Sequence, residues 1–102
     1  MRSDSFPVRI IFQLVDEDAY PVYMAVMVPK RLIRKATDRN LLKRRIREIY
    51  RIHKPRIRIK GHSLQMLIQY RSDETTDHQS IERAYLKAVA KMTGKIENQV
   101  NG

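Results

Sequence analysis

Between Arg39 and His53 two different stripes repeat at helical spacing, and this doubling constrains the fold more than any other feature. Leu42, Ile46, Ile49 and His53 recur at intervals of 4, 3 and 4, which places them on one side of a helix. Asn40, Lys43, Arg44, Arg47 and Arg51 recur at 3, 1, 3 and 4 on a second side. The apolar stripe has to lie on a sheet or on another helix. The basic stripe then faces outward, because burying an unpaired cation is costly. Thr37 or Asp38 suits the N-cap, where a side-chain oxygen accepts from free N–H groups of the first turn. Pro55 stops the helix, since the residue before a proline disfavours helical geometry.

The flanking segments supply the surface on which that helix can pack. Val8 to Val15 is β-branched, aromatic and apolar and predicts a strand. Asp16 to Pro21 predicts a turn, and Val22 to Val28 a second strand, antiparallel to the first and ended by Pro29. Lys30 to Thr37 is a basic connection. Arg56 to Lys60 alternates Arg and Ile before Gly61 and reads as a short edge strand or an exposed loop. Ser63 to Tyr70 predicts a mostly buried strand, followed by a polar turn over Ser72 to Asp77. Thr76 and Gln79 have the spacing of a capping box. A last helix is expected from about Asp77 to Met92, with Ile81, Ala84, Tyr85, Ala88, Val89 and Met92 as its apolar stripe. Gly94 is expected to end it. The order strand, strand, helix, strand, helix describes one small α/β (α+β) two-layer sandwich, a central sheet with a basic central helix. Residues 1–94 form the expected domain and 95–102 a loose polar tail.

Charge gives the outward stripe its meaning. The 102 residues carry a net charge of +10, but residues 30 to 60 hold fourteen Lys/Arg against only Asp38 and Glu48. The remainder is slightly acidic, with seven basic and nine acidic residues. Such a concentration repels itself unless a polyanion meets it. Nucleic acid is the expected partner, with an anionic membrane surface second. A solvated helix face usually mixes Glu with Lys, whereas residues 39 to 51 contain six cations and one acid. Arginine's planar fork pairs with two phosphate oxygens at once, and lysine adds a point charge. Asn40 can donate to a base edge or phosphate and accept from a 2′-OH. Phe12 and Tyr50 are aromatics that could stack on unpaired bases; Tyr50 fits the core better, and Phe12 depends on which sheet face is covered.

Chemistry by the chain itself has little support. Asp16, Glu17 and Asp18, and Asp73, Glu74 and Asp77, are acids in turns, where acids are ordinary. His53, His62 and His78 fit no metal-binding spacing. Ser63 lacks a nucleophile-elbow context, and three glycines are too few for a phosphate loop. No catalytic residue and no metal ligand is assigned. The absence of cysteine excludes a disulfide framework and a thiolate metal site. No apolar run approaches the roughly 18 residues of a membrane span, and no export signal precedes Val8. A cytoplasmic protein without a membrane or small-molecule partner is the simplest expectation.

Arg39-Asn40-Leu41-Leu42-Lys43-Arg44-Arg45-Ile46-Arg47-Glu48 resembles the signature helix of the bacterial ribonuclease P protein component family, roughly Arg-Asn-Arg-x-Lys-Arg-x-x-Arg. Val26 to Arg31 is similar to the strand end and basic pair before that helix, and the later strand and helix follow in the family's order. The resemblance spans about Pro7 to Met92. It implies parallel strands before and after the central helix, joined by a left-handed crossover, although most such crossovers are right-handed. It implies a subunit of an RNA-based endoribonuclease in which a large RNA with bound Mg²⁺ cleaves the 5′ leader from precursor tRNA. The partners it implies are ribonuclease P RNA and precursor tRNA, with the single-stranded leader held in a cleft between the sheet and the central helix. Carried over by position, Arg39, Asn40, Lys43, Arg44 and Arg47 contact RNA, Lys30 and Arg31 flank them, and Phe12 sits at a cleft position. Arg34, Lys35 and Arg51 extend the basic surface.

Two departures from the family pattern bear on these expectations. Leu41 stands where the signature usually has a basic residue, so one RNA-facing cation is missing. Family members usually begin with a short helix of phenylalanines and basic residues that lines the cleft, whereas this sequence reaches a strand by Val8. Binding to the catalytic RNA is therefore the firmer expectation, and leader binding the weaker. Another RNA-binding protein, such as a ribosomal protein or assembly factor, would share the basic helix. A protein-only nuclease would need acidic residues for cleavage. A DNA-binding helix-turn-helix lacks the closely preceding helix it requires.

Overall fold

The computed structural model describes residues 1–16, 22–55 and 61–101. Its elements are β1 (Arg2–Ser5), β2 (Val8–Val15), β3 (Val22–Met27), α1 (Ala36–Ile52), β4 (Ser63–Tyr70) and α2 (His78–Asn101). The sheet order is β1-β2-β4-β3. β2 runs antiparallel to both β1 and β4, while β3 and β4 are parallel neighbours connected through α1. The α/β sandwich expected from the sequence is present. β3 runs antiparallel to β2 as expected, but the two are not neighbours across the short turn, because β4 lies between them. Two apolar strands competed for β2, and β4 offers eight paired positions from Val8↔Tyr70 to Val15↔Ser63. Most of the Asp16–Pro21 turn and all of Arg56–Lys60 lie outside the described residues.

Strand alternation divides the sheet into two faces. Val8, Ile10 and Phe12 of β2 and Leu64, Met66, Ile68 and Tyr70 of β4 all point to one face and are buried. Both helices cover that face. α1 contributes Leu42, Ile46 and Ile49, and α2 contributes Ile81, Ala84, Tyr85, Ala88, Met92 and Ile96. Fully burying one such large side chain contributes about 1.5–3 kcal/mol, so this layer holds the domain together. The opposite face carries Arg9, Ile11, Gln13, Ala25, Met27 and Leu67, all exposed or half-buried, and no helix among the described residues covers it.

β1 had no counterpart in the sequence expectation. Its residues, Arg-Ser-Asp-Ser, lack β-forming side chains, and neighbours hold it in place instead. Ser3 is 1% exposed, and its hydroxyl donates to the Ala88 carbonyl at 2.8 Å. The small Ser–Ala pair lets α2 approach the strand closely. Lys91 Nζ donates to the Asp4 carbonyl at 2.7 Å, and Lys95 Nζ to that of Arg2.

α1 starts earlier than expected, and α2 starts where expected but with a different cap. α1 begins at Ala36, earlier than Arg39, with extended Lys35 as N-cap and no side-chain cap. Asp38 instead sits in the first turn, where its charge complements the positive end of the helix dipole. Asp77 caps α2: Ser80 N–H donates to Oδ2 at 3.3 Å, and the Ser80 hydroxyl to Oδ1 at 2.6 Å. Thr76 is drawn away from capping by Tyr70, whose hydroxyl accepts from Thr76 N–H at 2.9 Å. α2 also passes through Gly94 to Asn101. Ile96 explains this, because it extends the apolar stripe one turn beyond Met92 and is 2% exposed. The segment expected as a loose tail is thus helical from Lys95 to Asn101.

Candidate nucleic-acid interface

The interface follows from how α1 is seated. With Leu42, Ile46 and Ile49 pressed on the sheet, Asn40, Lys43, Arg44, Arg47 and Arg51 lie on the outer side. From Asn40 to Arg51 the row is about 16 Å long, at about 1.5 Å per residue. Arg45 falls on the flank towards α2, and its guanidinium donates to the Thr76 carbonyl at 2.8 Å. The far end of α1 is fixed to α2 as well. His53 Nε2 lies 3.1 Å from Glu82 Oε2, and the Tyr85 hydroxyl donates to the His53 carbonyl at 2.9 Å. Burial raises the pKa of the Tyr85 phenol, so it stays a neutral donor at any ordinary pH. A row of cations on a helix held at both ends is presented in one orientation.

The predicted contact residues divide into two groups. Lys30, Arg31, Arg34, Lys35, Arg44 and Arg47 are exposed, and Lys43 is half-buried. None of these seven side chains has an ionic or hydrogen-bonded partner among the described residues. Asn40 is exposed beside them. Arg39 and Arg51 are already engaged. The Arg39 guanidinium donates to the carbonyls of Ile33 at 3.0 Å and Arg34 at 2.8 Å. It therefore clamps the basic connection against the start of α1. Sequence reasoning treated Arg39 as a contact only, and nothing in its spacing distinguishes a clamp from a free cation. Arg51 is paired with Glu48 at 2.6 Å, and this hydrogen bond holds the Glu48 carboxyl below its ordinary value. Both groups are exposed, so phosphate can compete for Arg51 at little cost.

The aromatic expectations resolve differently. Phe12 is 1% exposed and packs in the core layer, and it is also among the residues that border the cavity on the open face. Among the described residues, Leu42, Ile46 and Ile49 of α1 pack into the core layer on the sheet. Tyr50 is half-buried against the core, as its helical position favoured, and burial raises its phenol pKa. The open face carries a shallow cavity of about 570 Å³ over β2, β3 and β4, bordered by Ile11, Gln13, Ala25, Gln65 and Leu67.

A family model described as Ribonuclease P matches residues 2–93. The chain belongs to the ribonuclease P protein family. Among its relatives is the ribonuclease P protein component of Porphyromonas gingivalis, in two strains. Each is 33% identical over 104 aligned positions, which cover 89% of this chain and 70% of the relative. No solved structure matches the chain. The match takes in the row on α1 and the connection before it. Among the described residues no three His, Asp or Glu side chains converge as metal ligands. No helix among them is long and apolar enough to cross a membrane.

Proposed function

We propose that this chain is the protein subunit of ribonuclease P, binding the enzyme's RNA and assisting removal of the 5′ leader from precursor tRNA in the cytoplasm. The observation that carries this reading is the row of cations on α1 and its connection that have no partner among the described residues, in a chain of the ribonuclease P family. Each cation that meets a phosphate releases condensed counterions, and this lowers the cost of bringing two RNAs together. The rate gain comes from positioning and electrostatics. Cleavage itself belongs to the RNA, with Mg²⁺ held by RNA phosphates. The chain's described carboxylates are dispersed or bound to its own cations. Because Leu42, Ile46 and Ile49 of α1 pack into the core layer, leader contact falls to the outer row and to residues 30–35.

Cleavage of precursor tRNA by a bacterial ribonuclease P RNA at low magnesium, with and without this protein, tests the reading. Stimulation by the protein, together with no cleavage by the protein alone, is expected. Intact RNA binding without stimulation would redirect the assignment to another RNA, such as ribosomal RNA. Cleavage by the protein alone would overturn it.

A further inference from the structure

The largest exposed apolar side chain among the described residues lies away from α1. Phe6 is 76% exposed on the turn between β1 and β2. It borders a cavity of about 280 Å³ shared with Asp4, Val8, Arg9 and Arg71. Arg71 directly follows β4, and its N–H donates to the Pro7 carbonyl at 2.7 Å, which fastens the turn to the end of that strand. The Arg71 guanidinium has no ionic or hydrogen-bonded partner among the described residues. Asp73 and Glu74 follow it in the chain but form no ion pair with it. Asp4 is the carboxylate in the cavity, and it is already taken by Arg9 at 2.6 Å and Arg2 at 3.4 Å. Cations therefore outnumber acids around this turn. Charge counting along the chain conceals this, because Arg2, Arg9 and Arg71 come from the part of the sequence whose net charge is slightly acidic.

We propose that the Phe6 turn is a second RNA-contact point, where an unpaired base stacks on the Phe6 ring and its phosphate meets Arg71. An exposed aromatic beside a free guanidinium suits a nucleotide, which presents a π-face and an anion together. Duplex RNA does not fit, because its bases are stacked on one another and the ring cannot reach them. The position also connects with the first surface. Val8 pairs with Tyr70 and Met27 with Gln69, so β4 and β3 leave the sheet at the end where the Phe6 turn lies. The connection carrying Lys30 and Arg31 starts from that end. β1 and β3 stand three inter-strand spacings apart, about 14 Å. An unpaired strand held by the connection can thus continue across the sheet end to Phe6. The inference rests on the RNA-binding reading and adds a site to it.

The test uses the full chain and a short single-stranded RNA of mixed sequence, with a blunt-ended duplex RNA as comparison. Phe6→Leu keeps apolar bulk but removes the π-face. It is expected to weaken single-strand binding about tenfold while leaving blunt-duplex binding unchanged. Phe6→Tyr should bind as wild type. Arg71→Gln should lower the single-strand salt slope by about one unit. Circular dichroism melting confirms that each variant is folded. Phe6→Leu binding as tightly as wild type would overturn the proposal, as would an equal loss on both RNAs. If Arg44→Ala with Arg47→Ala weakens binding while the Phe6 and Arg71 variants do not, only this second site falls. If the wild-type protein binds neither RNA, the RNA-binding reading falls with it.

Discussion

At the scale of single residues, cations with similar sequence positions have different work. Arg44 and Arg47 are exposed and unpartnered among the described residues, whereas Arg39 holds two carbonyls of the preceding connection. Replacing Arg44 and Arg47 with alanine should leave the melting temperature nearly unchanged. RNA binding should weaken, and its salt slope should fall by about 0.9 for each phosphate that is no longer neutralised. Titrations at several salt concentrations measure both; unchanged slope and affinity would move the interface off α1. Arg39→Ala should behave differently and cost about 1–2 kcal/mol of stability, because two charge-assisted bonds disappear. Phe12 gives the converse case. Phe12→Ala should cost about 3–5 kcal/mol by leaving a cavity in the core. The milder Phe12→Leu, if still folded, should retain wild-type RNA affinity. A folded Phe12→Leu protein that loses binding would return the ring to the interface.

At the scale of elements, the sequence was legible where one stripe decided the outcome. β2, β3, β4 and α1 follow their apolar patterns, and three of the α1 stripe residues are at most 1% exposed. It was misleading where a tertiary partner overruled a local signal. Gly94 has the look of a helix end, but Ile96 fits the core beyond it. Arg2 to Ser5 has no strand signal, yet Ser3, Asp4 and Arg9 hold it at the sheet edge. The same argument makes Ile96→Ala costly, by about 2–4 kcal/mol in denaturant unfolding. A loss below about 0.5 kcal/mol would mean the last turns of α2 contribute no packing. Two carboxylates also tie local elements together. The hydrogen bond from Arg9 holds the Asp4 carboxyl below its ordinary value, and those from Ser80 do the same for Asp77. A depressed folded pKa contributes stability above the unfolded value, and that contribution is lost as pH falls through the folded value. Melting temperature should therefore drop below about pH 4. Asp77→Asn keeps a capping oxygen without the charge, so the acid-side drop should be shallower. An equally steep drop would remove Asp77 as a contributor.

At the scale of the whole molecule, salt should act on folding and on binding with opposite signs. Fourteen of the 21 Lys/Arg residues fall between positions 30 and 60, and the seven exposed or half-buried cations described above have no anionic partner among the described residues. The outer surface of α1 and its connection is thus self-repelling in the free protein. This repulsion is between solvent-exposed charges, so it is screened as the Debye length falls from about 10 Å at 0.1 M salt to about 3 Å at 1 M. The hydrophobic layer beneath is not weakened by the same change. Free-protein melting temperature should accordingly rise with sodium chloride, while RNA affinity falls steeply over the same range. RNA should replace salt as the stabiliser at low ionic strength, because a ligand that binds only the folded state raises its stability. Arg44→Ala with Arg47→Ala should flatten both trends together, since one set of charges produces both. Melting curves of the free and RNA-bound protein across a salt series decide the matter. If the double variant flattened the binding trend but not the stability trend, the repulsion would have to lie elsewhere, and the cations around the Phe6 turn would be the next to replace.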